Sequence, residues 1–329
     1  LFGHIQRMSR RPTARGTRAM DRLKQIIVLA DFSEASDHAV HQAMRMSEWN
    51  EAVLHVLHVI DEIEATEAIE LYAARSASDV RLMMCERVRD RLMAHLPVAS
   101  NGQTTLPDER IALDVTIGDP FVDVLHAVDD LSADLLVVGH DQVNGADVVG
   151  HMVRRFARKA STKVMLVRPG ELAAFQRVVA CVDFSEMSPM VVEQAVRVAQ
   201  QEDADLHIIH VPTPIGKLTD LLDLSGEVVR ERRAAHGHQI DVMMARLMKP
   251  LEDRLSKLRV SQRILTEDDP LKGIKSYLES SDRTLAVVGS RGRKNIKGIL
   301  MGSTAERLVD AAPSSLLLIK PAGFRYDVG

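Results

Sequence analysis

The sequence predicts an α/β fold: two tandem doubly wound domains, each a five-stranded, mainly parallel sheet flanked by helices. Three observations lead there. Apolar runs alternate with amphipathic stretches along the chain, the pattern of repeated βα units. The strand-like runs are near-continuous in Val, Ile and Leu, as expected of parallel strands buried on both faces. The pattern also occurs twice. Ile26-Ile27-Val28-Leu29-Ala30-Asp31-Phe32-Ser33-Glu34 matches Val178-Val179-Ala180-Cys181-Val182-Asp183-Phe184-Ser185-Glu186. Leu54–Val59 matches Leu206–Val211, and Gly118-Asp119-Pro120 matches Asp268-Asp269-Pro270. Leu136–Gly139 matches Ala286–Gly289, and Val164–Pro169 matches Leu316–Pro321. All five blocks keep one order.

The 329 residues suffice for two domains, expected at 21–170 and 175–322 after an extension at 1–20. In the first half, strands are expected to start near Gln25, Ala52, Arg110, Ala133 and Lys163. Helices between them are expected near 34–49, 63–95, 119–130 and 150–161. In the second half, strands start near Arg177, Asp205, Arg259, Thr284 and Ser314, with helices near 187–202, 225–258, 270–280 and 303–311. The joining segment, 171–174, is too short for a flexible tether, so the domains should pack together. The long crossovers carry methionines at helical spacing, among them Met83, Met84, Met243, Met244 and Met248, which suit packing. The extension carries Arg7, Arg10, Arg11, Arg15 and Arg18 and no acid. It suits an upstream remnant before Met20, a disordered basic arm, or a transit peptide.

Composition excludes several functions. A formal charge of −4 and 3% aromatic residues give no reason to expect nucleic acid as a partner. No apolar run reaches the length of a membrane span. Cys85 and Cys181 fall in different halves, and Cys181 reads as a small core hydrophobe. Two unpaired cysteines fit a reducing compartment and a cytoplasmic location. His55 with His58, and His207 with His210, lie three apart on strands and face opposite sides. Neither pair can hold one metal ion from a regular strand, and no metal is expected.

The most informative stretch is Gly289-Ser290-Arg291-Gly292, followed by Gly302-Ser303-Thr304. It joins an apolar run to a helical one. Glycines let backbone N–H groups reach phosphate oxygens, and a helix N-terminus adds partial positive charge. Ser303 and Thr304 are expected to add hydroxyl donors at the helix cap. The ligand class is therefore a phosphorylated molecule, most naturally a nucleotide. Neither G-x-x-x-x-G-K-[ST] nor a G-x-G-x-x-G after the first strand is present.

The spacing of glycine, two residues, glycine, nine residues, glycine and serine resembles the ATP-binding signature of the universal stress protein superfamily. So do the Asp-Phe-Ser-Glu strand end and the His-Val end of the second strand, twice over. The resemblance implies ATP as ligand. It also implies Asp183 at the adenosine part and the Val211 backbone at adenine. Gly289, Gly292, Gly302 and Ser303 would lie at the ribose and phosphates. Arg291 and Arg293 stand in the same loop and could neutralise phosphate, whereas Lys294 and Lys297 read as surface charges.

The first-half loop departs from this pattern. Gln142 replaces the second glycine, His151 replaces the serine, and Asp141 and Asp147 bring negative charge. A carboxylate a few ångströms from a phosphate costs on the order of a few kcal/mol. The first site is therefore expected to bind ATP poorly or not at all, although Asp31 and Val59 are retained. Asp268, where the first half has Gly118, lies outside the loop. With no catalytic base or metal cluster evident, the expectation is a regulatory ATP-binding module of stress response, with no catalytic residues. A slow ATPase, or self-phosphorylation on Ser303 or Thr304, is the alternative. Protein partners in stress signalling and a homodimer stay open.

Overall fold

The computed structural model describes residues 22–72, 75–100, 102, 106–140, 149–170, 172–212, 226–267, 269–281, 283–292 and 301–325. The first half runs β1 (Gln25–Leu29), α1 (Glu34–Asn50), β2 (Val53–Asp61), α2 (Glu62–Leu71) and α3 (Ala77–Ala99). A 3₁₀ turn at Asp108–Arg110 leads to β3 (Ile111–Gly118), α4 (Pro120–Asp130), β4 (Leu135–Gly139), α5 (His151–Lys159) and β5 (Lys163–Val167). The second half runs β6 (Arg177–Cys181), α6 (Ser188–Glu202), β7 (Asp205–His210) and α7 (Gly226–Met248). It continues with α8 (Glu252–Leu255), β8 (Val260–Ile264), α9 (Pro270–Leu278), β9 (Thr284–Gly289), α10 (Ser303–Ala311) and β10 (Ser315–Ile319).

Two crossovers differ from the sequence reading. The stretch expected as one helix over 63–95 is two helices. Asp61 caps α2 by accepting from the Ile63 N–H at 2.8 Å, and Ser76 restarts the chain by accepting from the Asp79 N–H at 3.1 Å. The stretch expected over 225–258 ends its long helix at Met248. Pro250 sits in a 3₁₀ turn, Lys249–Leu251, because it lacks the N–H that a continuing α-helix requires.

Each half has strand order 3-2-1-4-5, with every pairing inside a half parallel. The two sheets do not merely pack. They fuse edge to edge into one ten-stranded sheet, β3-β2-β1-β4-β5-β10-β9-β6-β7-β8. The joining pair, β5 with β10, is antiparallel, with Leu316 opposite Leu166 and Leu318 opposite Val164. The physical reason lies in those strands. Val164–Val167 and Ser315–Ile319 are buried throughout, so each would otherwise present an apolar edge with unpaired backbone groups.

Alternate strand residues feed two cores on opposite sheet faces. Ile26, Val28, Val178, Ala180, Leu285 and Val287 face α1, α3 and α6. Ile27, Val179, Ala286 and Val288 face the layer that holds α4, α5, α9 and α10. The seam is also bridged by helices. Arg158 of α5 reaches Glu306 of α10 at 3.1 Å, and Arg154 reaches Asp310 at 3.6 Å. Two further cations cross it in opposite senses. Arg168, after β5, donates to the Pro313 carbonyl at 3.0 Å. Lys320, its counterpart after β10, donates to the carbonyls of Ala157 and Arg158 in the last turn of α5. A cation at a helix carboxyl end meets the negative end of the macrodipole. Lys320 is buried, and that burial, with the charge of Arg291 second, pushes its pKa down to about 7.

Candidate functional site

The strand order changes direction between β6 and β9, and open α/β sheets hold ligands at the carboxyl ends of such strands. Asp183 follows β6 by two residues. Its Oδ1 accepts from the Ser185 N–H at 2.9 Å and from the Ser188 hydroxyl at 3.2 Å. Phe184 follows in the left-handed region, φ 57°, a conformation that costs a bulky residue roughly 1–2 kcal/mol. Phe32, with φ 66°, repeats it in the first half. The reversal folds the Asp183 carboxylate back over the end of the sheet. Its Oδ2 would lie 2.8 Å from a Cβ placed on Gly292. Asp183 and Gly292, more than a hundred positions apart in the chain, thus share one spot.

The loop is drawn tight by its backbone. Ser290 N–H donates to the Ile319 carbonyl at 2.9 Å, and Gly302 N–H donates to the Ser290 carbonyl at 2.8 Å. A Cβ on Gly302 would sit 3.4 Å from the Gly292 nitrogen, and one on Gly289 would sit 2.9 Å from Met187 Cβ. The structure therefore brings Asp183, Gly289, Arg291, Gly292 and Gly302 together. Val211 lies just beyond β7, half-buried against the second core, on the strand next to β6. Arg293, Lys294 and Lys297 lie outside the described residues, as does Asp268.

One expectation is corrected. Ser303 does not cap α10. Gly302 occupies the cap position in extended geometry, φ −73° and ψ 150°, and among the described residues no side chain closes the helix end. Ser303 is already the first helical residue. The leading N–H groups of α10, like those of any α-helix, have no partner within the helix. Two buried polar atoms nearby, Ser290 Oγ and Arg291 Nε, have no hydrogen-bond partner among the described residues. The Arg291 guanidinium lies 5.6 Å from the Phe324 ring centroid, and Lys320 Nζ lies 4.8 Å from the same ring.

Sequence reasoning missed several residues that build this site. His210 donates from Nδ1 to the Val182 carbonyl at 2.8 Å and packs its ring on Phe184, centroids 4.5 Å apart. It ties the end of β7 to the end of β6. His58 does the same to Ala30 at 2.6 Å. The repetition of His58 and His210 in the matched blocks was the available signal. Ser188 carried none without the fold, and Lys320 only its match to Arg168.

In the first half, Asp141, Gln142 and Asp147 lie outside the described residues. Gly139 meets α1 closely, and a Cβ there would fall 2.2 Å from the Ala35 carbonyl oxygen. Gly150 takes the cap position of α5 and His151 is its first residue. A cavity of about 200 Å³ remains among the corresponding elements, lined by Asp31, Ser36, His58, Val59, Gly139 and Met152 among others. Among the described residues no three His, Cys, Asp or Glu side chains group to hold a metal ion. None of the described helices is long and apolar enough to cross a membrane.

The profile of the Universal stress protein family matches residues 22–168 and again residues 174–320. The "Universal stress protein YxiE" of Bacillus subtilis is 21% identical over 151 residues, which is 44% of this chain and 99% of that protein. A universal stress protein from Mycolicibacterium smegmatis is 24% identical, covering 58% of this chain and 63% of its own. Among solved structures, a universal stress protein from Archaeoglobus fulgidus superposes with a TM-score of 0.58 at 19% identity, covering 90% of this chain and 98% of that one. A protein from Pseudomonas aeruginosa, described as a putative universal stress protein, gives 0.54 at 15% identity over 91% and 94%. At these identities the structural likeness speaks to the fold.

Proposed function

The chain belongs to the universal stress protein family, and we propose that its second domain binds ATP and acts as a nucleotide-dependent regulatory module. One juxtaposition carries this reading. The Asp183 carboxylate, the close-set glycines 292 and 302 and the uncapped start of α10 meet at the carboxyl ends of β6 and β9. The residues fit the group. A Cβ at Gly292 or Gly302 would intrude on the cradle. The helix end supplies backbone donors for phosphate, and Arg291 brings a guanidinium to the loop. Asp183 would accept from the sugar hydroxyls, and the Val211 backbone would meet the base. Asp183, the carboxylate at this spot, is already committed to Ser185 and Ser188. That suits a holding role better than proton abstraction, so binding is the activity and hydrolysis is not.

Calorimetry of ATP on the intact chain tests this. Splitting the chain would strip the β5–β10 pairing, so the comparison is made with point variants. Gly292→Asp would push Asp183 aside as well as entering the phosphate space. Gly302→Asp is cleaner, because its backbone suits any residue and an aspartate cap favours the helix. Its carboxylate would face the phosphates at a cost of a few kcal/mol, out of about 8 for a micromolar ligand. One ATP per chain is expected in the wild type, and none in Gly302→Asp. Unchanged affinity in that folded variant would remove the phosphate loop from the proposal.

A further inference from the structure

Lys320 stands where the glycine loop meets the first domain. The Ser290 N–H donates to the Ile319 carbonyl at 2.9 Å, and one residue further along each segment stand Arg291 and Lys320. Both lie near one ring. The Arg291 guanidinium is 5.6 Å and Lys320 Nζ 4.8 Å from the centroid of Phe324. Lys320 Nζ also reaches across the seam, where it donates to the carbonyls of Ala157 and Arg158 at the end of α5.

The two cations lack a counter-charge. Arg291 Nε is buried with no hydrogen-bond partner, and among the described residues no carboxylate forms an ion pair with either side chain. Charged groups on the neighbouring elements are engaged elsewhere or exposed. Arg158 and Arg154 of α5 reach Glu306 and Asp310 of α10, and Lys159 lies over the Phe121 ring. Arg168 donates to Pro313, Asp183 holds Ser185 and Ser188, and Arg325 is exposed. A neutral amine carries two N–H groups and an ammonium three. The two α5 carbonyls therefore satisfy the amine and leave one N–H of the ammonium without an acceptor. Burial, with the charge of Arg291 second, pushes the Lys320 pKa down to about 7.

We propose that Lys320 is a relay between the nucleotide site and the first domain: a phosphate on the glycine loop brings a proton to Lys320 and tightens its hold on α5. The relay rests on the ATP binding proposed above. The phosphate offsets the Arg291 charge that repels an ammonium. The amine lone pair then takes a proton from solvent. Hydrogen bonds from the resulting ammonium to carbonyls are roughly twice as strong as those from an amine. The new charge also meets the negative end of the α5 dipole. Occupancy of the second domain thus firms a helix end in the first. Because the bound state holds the extra proton, ATP affinity should fall as the pH rises from about 7.

The test is calorimetry of ATP on the full chain at pH 8, in HEPES and in Tris, which differ in ionisation enthalpy. The difference in heat counts protons taken up per ATP bound, so a weaker affinity in a variant does not enter it. A rise of about one in the Lys320 pKa, the low end for a neighbouring opposite charge, takes up about 0.4 proton per ATP at pH 8. Lys320→Met should lose that uptake. So should Lys320→Gln, which keeps two N–H donors for the carbonyls. Subtracting the variants removes any proton that ATP itself exchanges. Amide hydrogen exchange in α5 should slow with ATP in the wild type and not in the variants. Thermal unfolding confirms that both remain folded. ATP binding with equal uptake in all three proteins overturns the relay and leaves the nucleotide site standing. Loss of ATP binding in both folded variants also overturns it, by making Lys320 a ligand contact. Uptake without slower exchange in α5 removes the link to the first domain. No ATP binding by the wild type, or unchanged binding by Gly302→Asp, overturns the site itself and the relay with it.

Discussion

Replacing Lys320 by Met should change how the stability of the protein responds to alkali. Lys320 is 7% exposed, and burial with Arg291 nearby pushes its pKa down to about 7. In the unfolded chain it returns to about 10.4. Between those values the unfolded state holds a proton that the folded state has released. Raising the pH through that window therefore favours folding, by about 1.4 kcal/mol per unit. From pH 7 to 8.5 the wild type should gain about 2 kcal/mol from this group. A second group then opposes it. Burial pushes the Cys181 thiol up to about 12. Above roughly pH 8.5 the unfolded chain releases the thiol proton that the folded chain keeps. The two slopes cancel, and the wild-type curve should level off there. In Lys320→Met the early rise disappears and stability falls above pH 8.5. Urea unfolding followed by circular dichroism at half-unit steps from pH 7 to 9.5 gives both curves. Their difference removes every group other than residue 320. A difference that stays constant with pH would refute the reasoning.

Three further outcomes follow from the structure. Gly139→Ala should destabilise strongly, by roughly 2 kcal/mol or more, because its Cβ would meet backbone at 2.2 Å; Gly150→Ala, with nothing within 4 Å, should be nearly neutral in the same melts. Ser33→Ala should cost about 1 kcal/mol in urea unfolding, since the hydroxyl of Ser33 accepts from the Ser36 N–H and caps α1. ATP should raise the melting temperature while phosphate release stays far below ordinary turnover of about 1–1,000 per second. Rapid release lost in Asp183→Ala would point to a hydrolase, and γ-phosphate label on Ser303 or Thr304 to self-phosphorylation.

Much of the fold was legible because its strands are buried on both faces. The expected starts at Gln25, Lys163, Arg177, Asp205 and Thr284 coincide with those observed. An apolar run says that an edge must be covered but not by what, so the β5–β10 pairing could not be read. The break at Ser76 hid within a helical pattern, since a serine cap weighs little beside the flanking residues. At the site, glycine spacing singled out positions that converge in space. It could not show that Asp183 is held by Ser188, because that contact depends on a left-handed turn at Phe184. Lys320 stood in plain view as a repeat of Arg168. Its partners are carbonyl oxygens of another domain, which no side-chain pattern announces.

The seam strands also bear on how the two halves can differ. In a symmetric pair of identical chains, any substitution appears in both copies. Here both halves lie on one chain, and the sheet that joins them needs no second molecule. Their mutual concentration is fixed by the covalent link and does not fall on dilution. Gln142 and His151 could thus arise on one side while glycine and serine stayed on the other. The half freed from the glycine pattern still braces its neighbour through α5, whose last carbonyls receive Lys320.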